Sequence, residues 1–143
     1  LTKLFVSDMI KRGSGKILNV ASTAAFMPGP LMAIYFASKS YVLAFSEAVA
    51  NELKGTGVSL TALCPGPTES EFQDAANMEE SMLFKRSKVA TSEDVAKYGY
   101  NQMIKGKVVA IEGAINKFSI FASRFVPKNV LTSIVRRIQE SKT

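Results

Sequence analysis

The sequence has no histidine, and its only cysteine is Cys64. Without an imidazole the usual zinc sites and every histidine-based triad are excluded, and a lone thiol closes no internal disulfide. No succession of charged, apolar and small residues at the start resembles a secretory signal, so a reducing, cytoplasmic setting is expected. No apolar run approaches the ~20 residues of a spanning helix, and no membrane span is expected. Internal repeats and low-complexity tracts are also lacking. The chain begins with Leu1, as a fragment or a processed product would.

The 143 residues are 47% apolar and 21% charged, which suffices for one ordinary hydrophobic core. The net charge of +6 is uneven. Residues 117–143 carry Lys117, Arg124, Lys128, Arg136, Arg137 and Lys142 against Glu140 alone, a balance of +5 that leaves about +1 for the rest. Basic residues spaced among apolar ones read first as the solvated face of an amphipathic helix; weak contact with a membrane surface is the other reading. No nucleic-acid partner is expected.

Residues 1–11 space Leu1, Leu4, Phe5, Met9 and Ile10 roughly as one helical face, and Gly13-Ser14-Gly15 breaks the period. "KILNVAS" offers Ile17, Leu18, Val20 and Ala21 as a short strand buried on both faces of a parallel sheet, with Ser22 at its C-terminal end. Residues 31–54, stopped by Gly55-Thr56-Gly57, form the longest predicted helix. "VSLTALC" is a second strand, ending at Pro65-Gly66. Residues 67–90 lack a clean period and read as a mobile segment with short helices, a lid. Thr91 or Ser92, with Glu93 and Asp94, caps a helix reaching about Lys105, and "KVVAI" is a third strand. Two amphipathic helices follow over about 116–140, with Pro127 as the restart. Short apolar strands alternating with long crossover helices indicate an α/β fold with a parallel sheet.

Tyr35 and Lys39 share one face of the long helix, a turn apart. An ammonium close to a phenol favours the phenolate, which suits a proton donor or acceptor at neutral pH where histidine is absent. A tyrosine four residues before a lysine is common by chance, and a helical lysine is usually just solvated. Ser22 adds weight, because ligand crevices of open parallel sheets lie at the C-terminal strand ends, although Ser22 or Thr23 could equally be a helix cap. Gly13-Ser14-Gly15-Lys16 is no phosphate loop, since it precedes a strand and has Ile17 where serine or threonine is required.

"NVAS", "YFASK" beginning thirteen residues after its serine, and a strand ending in "CPGPTES" together resemble the short-chain dehydrogenase/reductase (SDR) family. The resemblance implies that Ser22 positions the substrate oxygen, that Tyr35 is the acid/base, and that Lys39 assists the phenol and holds the nicotinamide ribose. Pro65 and Gly66 would line the nicotinamide, with Thr68 and Ser70 near its carboxamide; threonine is commoner in the family at the place of Ser70. "TSEDVAK" resembles the segment leading into the family's late helix, and "IEGAINKF" with "FVPKNV" is similar to a broadly described bacterial subgroup.

The family's glycine-rich turn, its acid or arginine that chooses between NAD and NADP, and its catalytic asparagine are not found in the sequence. The chain therefore reads as the C-terminal half of a Rossmann-like doubly wound sheet, with three strands and flanking helices as one partial domain over 1–143. Its first strand would then present an unpaired apolar edge. Two functional readings follow. One is the catalytic and substrate half of an NAD(P)-dependent oxidoreductase, with NADP ahead of NAD, acting on a carbonyl or alcohol as a homo-oligomer. The other is a non-catalytic fragment serving assembly or interaction.

Overall fold

The computed structural model describes residues 1–69 and 90–140. Helix α1 (Thr2–Arg12) ends at Gly13, whose φ of 67° is the left-handed conformation of a helix stop, its N–H donating to Ile10 O at 2.9 Å. The glycine segment considered above as a phosphate loop is thus a helix terminator leading into β1 (Gly15–Val20). A short 3-10 helix (Thr23–Phe26) precedes α2 (Ala33–Glu52), which crosses over to β2 (Val58–Cys64). Beyond Pro65-Gly66, β3 (Thr68–Glu69) pairs in parallel with β4 (Ala90–Thr91), joining the two ends of the segment that contains residues 70–89. Helix α3 (Ser92–Ile104) follows, capped by Thr91 Oγ1, which accepts the Asp94 N–H at 3.1 Å as the sequence predicts. Strand β5 (Val109–Ile111), α4 (Ala114–Ser123) and α5 (Lys128–Glu140) complete the order.

The main sheet runs β1-β2-β5, all parallel, with Ile17 opposite Leu60 and Val20 opposite Leu63. Alternation along β2 sends Val58, Leu60, Ala62 and Cys64 to one face, where α2 and α1 pack. Leu63 points to the other face with Val95 and Tyr98 of α3. Helices on both faces of a parallel sheet make this the doubly wound α/β architecture.

Two expectations need correction. Strand β1 is only half-buried and its terminal Val20 is 55% exposed, because among the described residues β1 pairs with β2 alone. Helix α1 packs through Val6 and Met9, while Leu1, Leu4 and Phe5 of its expected apolar face stay exposed. The lid expected over 67–90 lies outside the described residues except for its ends, which form the small β3-β4 pair. A two-residue ladder carries too little periodicity to be read from sequence.

Candidate active site

Ser22 stands two residues beyond β1, in extended backbone, as the cap of the 3-10 helix. Its Oγ accepts the Ala24 N–H at 3.1 Å. The chain is fixed on either side: the Ala21 N–H donates to Leu63 O at 2.8 Å, and the Thr23 N–H donates to Pro65 O at 2.9 Å. Ser22 is therefore held between the C-terminal ends of β1 and β2. The cap reading holds for Ser22, and it is compatible with a further role, since a hydroxyl that accepts one hydrogen bond keeps its O–H to donate.

Tyr35 and Lys39 lie half-buried on the first turns of α2, with the Lys39 ammonium 5.7 Å from the Tyr35 ring centroid. Lys39 Nζ donates to Val20 O at 3.2 Å, which ties it to the strand end that carries Ser22. A buried polar chain sets the position of the helix. Asn19 Nδ2 donates to Ser46 Oγ at 3.0 Å, and Ser46 Oγ donates to Val42 O at 2.7 Å, so β1 and α2 are joined through a fully buried serine. Ser40 Oγ donates to Ala25 O at 2.9 Å, joining α2 to the 3-10 helix. Such satisfied buried bonds specify one register where apolar packing alone would tolerate several.

Ser22, Tyr35, Lys39, Pro65, Gly66 and Thr68 all line one cavity of about 530 Å³, within the usual range for ligand pockets. Ser70 lies outside the described residues. Thr68 Oγ1 donates to Gly66 O at 3.0 Å, curling the loop after β2. A Cβ on Gly66 would come within 2.4 Å of Asn116 Nδ2, so glycine lets this loop lie against α4 without displacing the Asn116 side chain.

The C-terminal helices supply the part of the wall that sequence reasoning missed. Asn116 and Ile120 come from α4, and Val135, Ile138 and Gln139 from α5. Val135 and Leu131 pack with Ala24, Phe36, Met27 and Tyr35, so α5 closes over the 3-10 helix and the start of α2. The spacing of Leu131, Val135 and Ile138 marks one face for burial, but linear spacing cannot say which surface receives it. Cys64, fully buried at the end of β2, is no nucleophile. Burial and then the Glu47 carboxylate push its thiol up to about 11, against a backbone hydrogen bond at Ser22 that lowers it.

Residues 1–81 match the family model for short chain dehydrogenase. The chain belongs to the short-chain dehydrogenase family. The matched segment contains Ser22, Tyr35, Lys39 and the Pro65-Gly66 loop. A 3-oxoacyl-(acyl-carrier-protein) reductase of Synechocystis sp. is 32% identical over 107 residues, which is 75% of this chain and 40% of that protein. Among solved structures, a 7beta-hydroxysteroid dehydrogenase aligns with a TM-score of 0.78 at 22% identity, covering 93% of this chain and 52% of the other. A short chain dehydrogenase from Burkholderia cenocepacia J2315 in complex with NADP gives 0.73 at 21% identity, covering 94% and 52%. These two likenesses establish the fold. This short-chain dehydrogenase chain spans less than half the length of the curated relatives it matches and about half of those structures.

Proposed function

We propose that the chain carries the substrate and proton-transfer half of an oxidoreductase that moves a hydride between NADP or NAD and a carbonyl or alcohol. The observation that carries this reading is the meeting of Ser22, Tyr35, Lys39 and the Pro65-Gly66 loop on one cavity at the C-terminal ends of adjacent parallel strands. In reduction the Ser22 O–H holds the substrate oxygen, its lone pair already engaged by the Ala24 N–H. Tyr35 gives its phenolic proton to that oxygen, and in oxidation it takes the proton back. The Lys39 ammonium offsets the negative charge left on the phenol oxygen.

The residues fit a nicotinamide cofactor in two respects. An ammonium has three N–H donors, of which Lys39 gives one to Val20 O, so it has capacity for ribose hydroxyls. Gly66 carries no side chain into the loop after β2. Pro65 and Gly66 would line the ring, with Thr68 and Ser70 toward its carboxamide. When bound, the nicotinamide supplies or accepts the hydride.

Met27, Met32, Phe36, Ile120 and Val135 in the cavity wall suit an apolar carbonyl compound. The apolar side chains left exposed on α1 and α2, among them Leu4, Phe5 and Tyr41, suit pairing of two copies, and the lone, buried, free Cys64 suits a reducing cytoplasm.

The test is titration with NADPH and NADH, read by nicotinamide fluorescence, followed by reduction of an apolar ketone. In an enzyme completed by a cofactor-binding half, Tyr35→Phe should leave folding nearly intact and lower turnover by about 10²–10⁴-fold, the usual contribution of a general acid. A near-normal rate in this variant would refute the role of Tyr35, and no fluorescence change at millimolar cofactor would sink independent catalysis by this chain.

A further inference from the structure

Helix α4 has two faces, and its more apolar one is outside. Ile120 is 4% exposed and lines the cavity together with Asn116. On other sides stand Ile115 (75% exposed), Phe118 (72%) and Phe121 (58%), followed just past the helix by Phe125 (75%). The Phe121 and Phe125 rings meet edge to face with centroids 5.3 Å apart, so part of this stripe is a joined surface. Single exposed apolar side chains need no explanation, whereas a cluster of this kind marks an interaction site. Helix α5 behaves differently. Its Leu131, Val135 and Ile138 turn toward the core or the cavity, while Val130 and Ile134 are only half exposed and Arg136 and Arg137 are exposed.

Charge indicates the partner. From Ala114 to Lys128 the chain carries Lys117, Arg124 and Lys128, all exposed, and no acidic residue. A second copy would set these cations against their own kind, which opposes pairing there. A nucleic-acid duplex would match the charge and leave the phenylalanines in water, its bases being stacked inside. An anionic lipid surface accommodates both, its acyl boundary taking the aromatic rings and its headgroups the basic side chains. With ten residues in α4, and no helix among the described residues long and apolar enough to cross a membrane, such a contact lies in the plane of the interface. We infer that α4 and the turn after it anchor the chain to anionic membranes, with Phe118, Phe121 and Phe125 in the acyl boundary and Lys117, Arg124 and Lys128 at the headgroups. The anchor stands independently of the oxidoreductase reading.

The 143-residue chain is sedimented with sucrose-loaded vesicles of phosphatidylcholine alone, or of phosphatidylcholine with phosphatidylglycerol, at low and high salt. Binding to the anionic vesicles is expected, at least about tenfold stronger than to the neutral ones and weaker in high salt. Phe118→Asp with Phe125→Asp should remove binding to both vesicles. Lys117→Glu with Arg124→Glu should reduce anionic binding to the neutral level. All four side chains are exposed, so circular dichroism should show both variants folded. Absence of binding to anionic vesicles overturns the inference, as does unchanged binding by the two folded variants. Self-association that disappears in the phenylalanine variant, without vesicle binding, assigns the stripe to a second copy and also overturns it.

Discussion

Strands β1 and β2 pair over six residues in matched register, yet one is half-buried and the other almost wholly buried. At their C-terminal ends the contrast is largest: Val20 is 55% exposed and Cys64 is fully buried. Composition separates them in part, since β1 carries Lys16 and Asn19 where β2 has only apolar side chains and small hydroxyls. The number of neighbours adds to this, since β2 lies between β1 and β5 with helices on both faces. An apolar run makes a strand able to be buried; its place in the sheet determines how far it is.

The largest effect that would sharpen this contrast is a pair of truncations in facing residues. Leu60→Ala, at a side chain 1% exposed, should cost about 2–5 kcal/mol, and Ile17→Ala opposite it only roughly 1–2 kcal/mol, as measured by urea unfolding. Equal losses would show that β1 is as well packed as β2.

A second test uses the thiol. Cys64 has a folded pKa of about 11 against an ordinary 9.0, so its neutral form is favoured by folding. That contribution, about 2–3 kcal/mol at most, is fully present below pH 9 and disappears as the pH rises through 11. Unfolding measured across this interval should show the decline. In the native chain at neutral pH, iodoacetamide should leave Cys64 unmodified while labelling a cysteine introduced as Val20→Cys; rapid labelling of Cys64 would break the comparison.

The smallest effect concerns the hydroxyls of β2. Thr61 is fully buried, and its Oγ1 has no hydrogen-bond partner among the described residues, which is unfavourable for a polar group out of water. Thr61→Val should therefore raise stability by about 1 kcal/mol, seen as a higher Tm. A loss of that size would mean the hydroxyl is satisfied after all.

Much of the fold is legible in the sequence. The Gly13 stop, the Thr91 cap, the long α2 and the "VSLTALC" strand are local signals, set by residues within a few positions of each other, and each is found where expected. The pattern of Ser22, Tyr35 and Lys39 was legible for the same reason: a helical turn places Tyr35 and Lys39 together, and a strand end presents Ser22. Asn19 was not legible as the link to α2, because its partner Ser46 is twenty-seven residues away and nothing in either residue type announces the pairing. Nor was the covering of the cavity by α5.

The sequence by itself determined the long helices, the three strands of the main sheet, their order and the residue types suited to proton transfer, because propensity, capping and periodicity act over single turns. Only the tertiary structure decided that Ser22, Lys39 and the Pro65-Gly66 loop share one cavity, how far β1 is covered among the described residues, and that α4 exposes its phenylalanines while Leu131, Val135 and Ile138 of α5 turn inward. Those outcomes depend on which surfaces meet across the fold, and identical local patterns are buried or exposed according to whether a neighbour arrives to cover them.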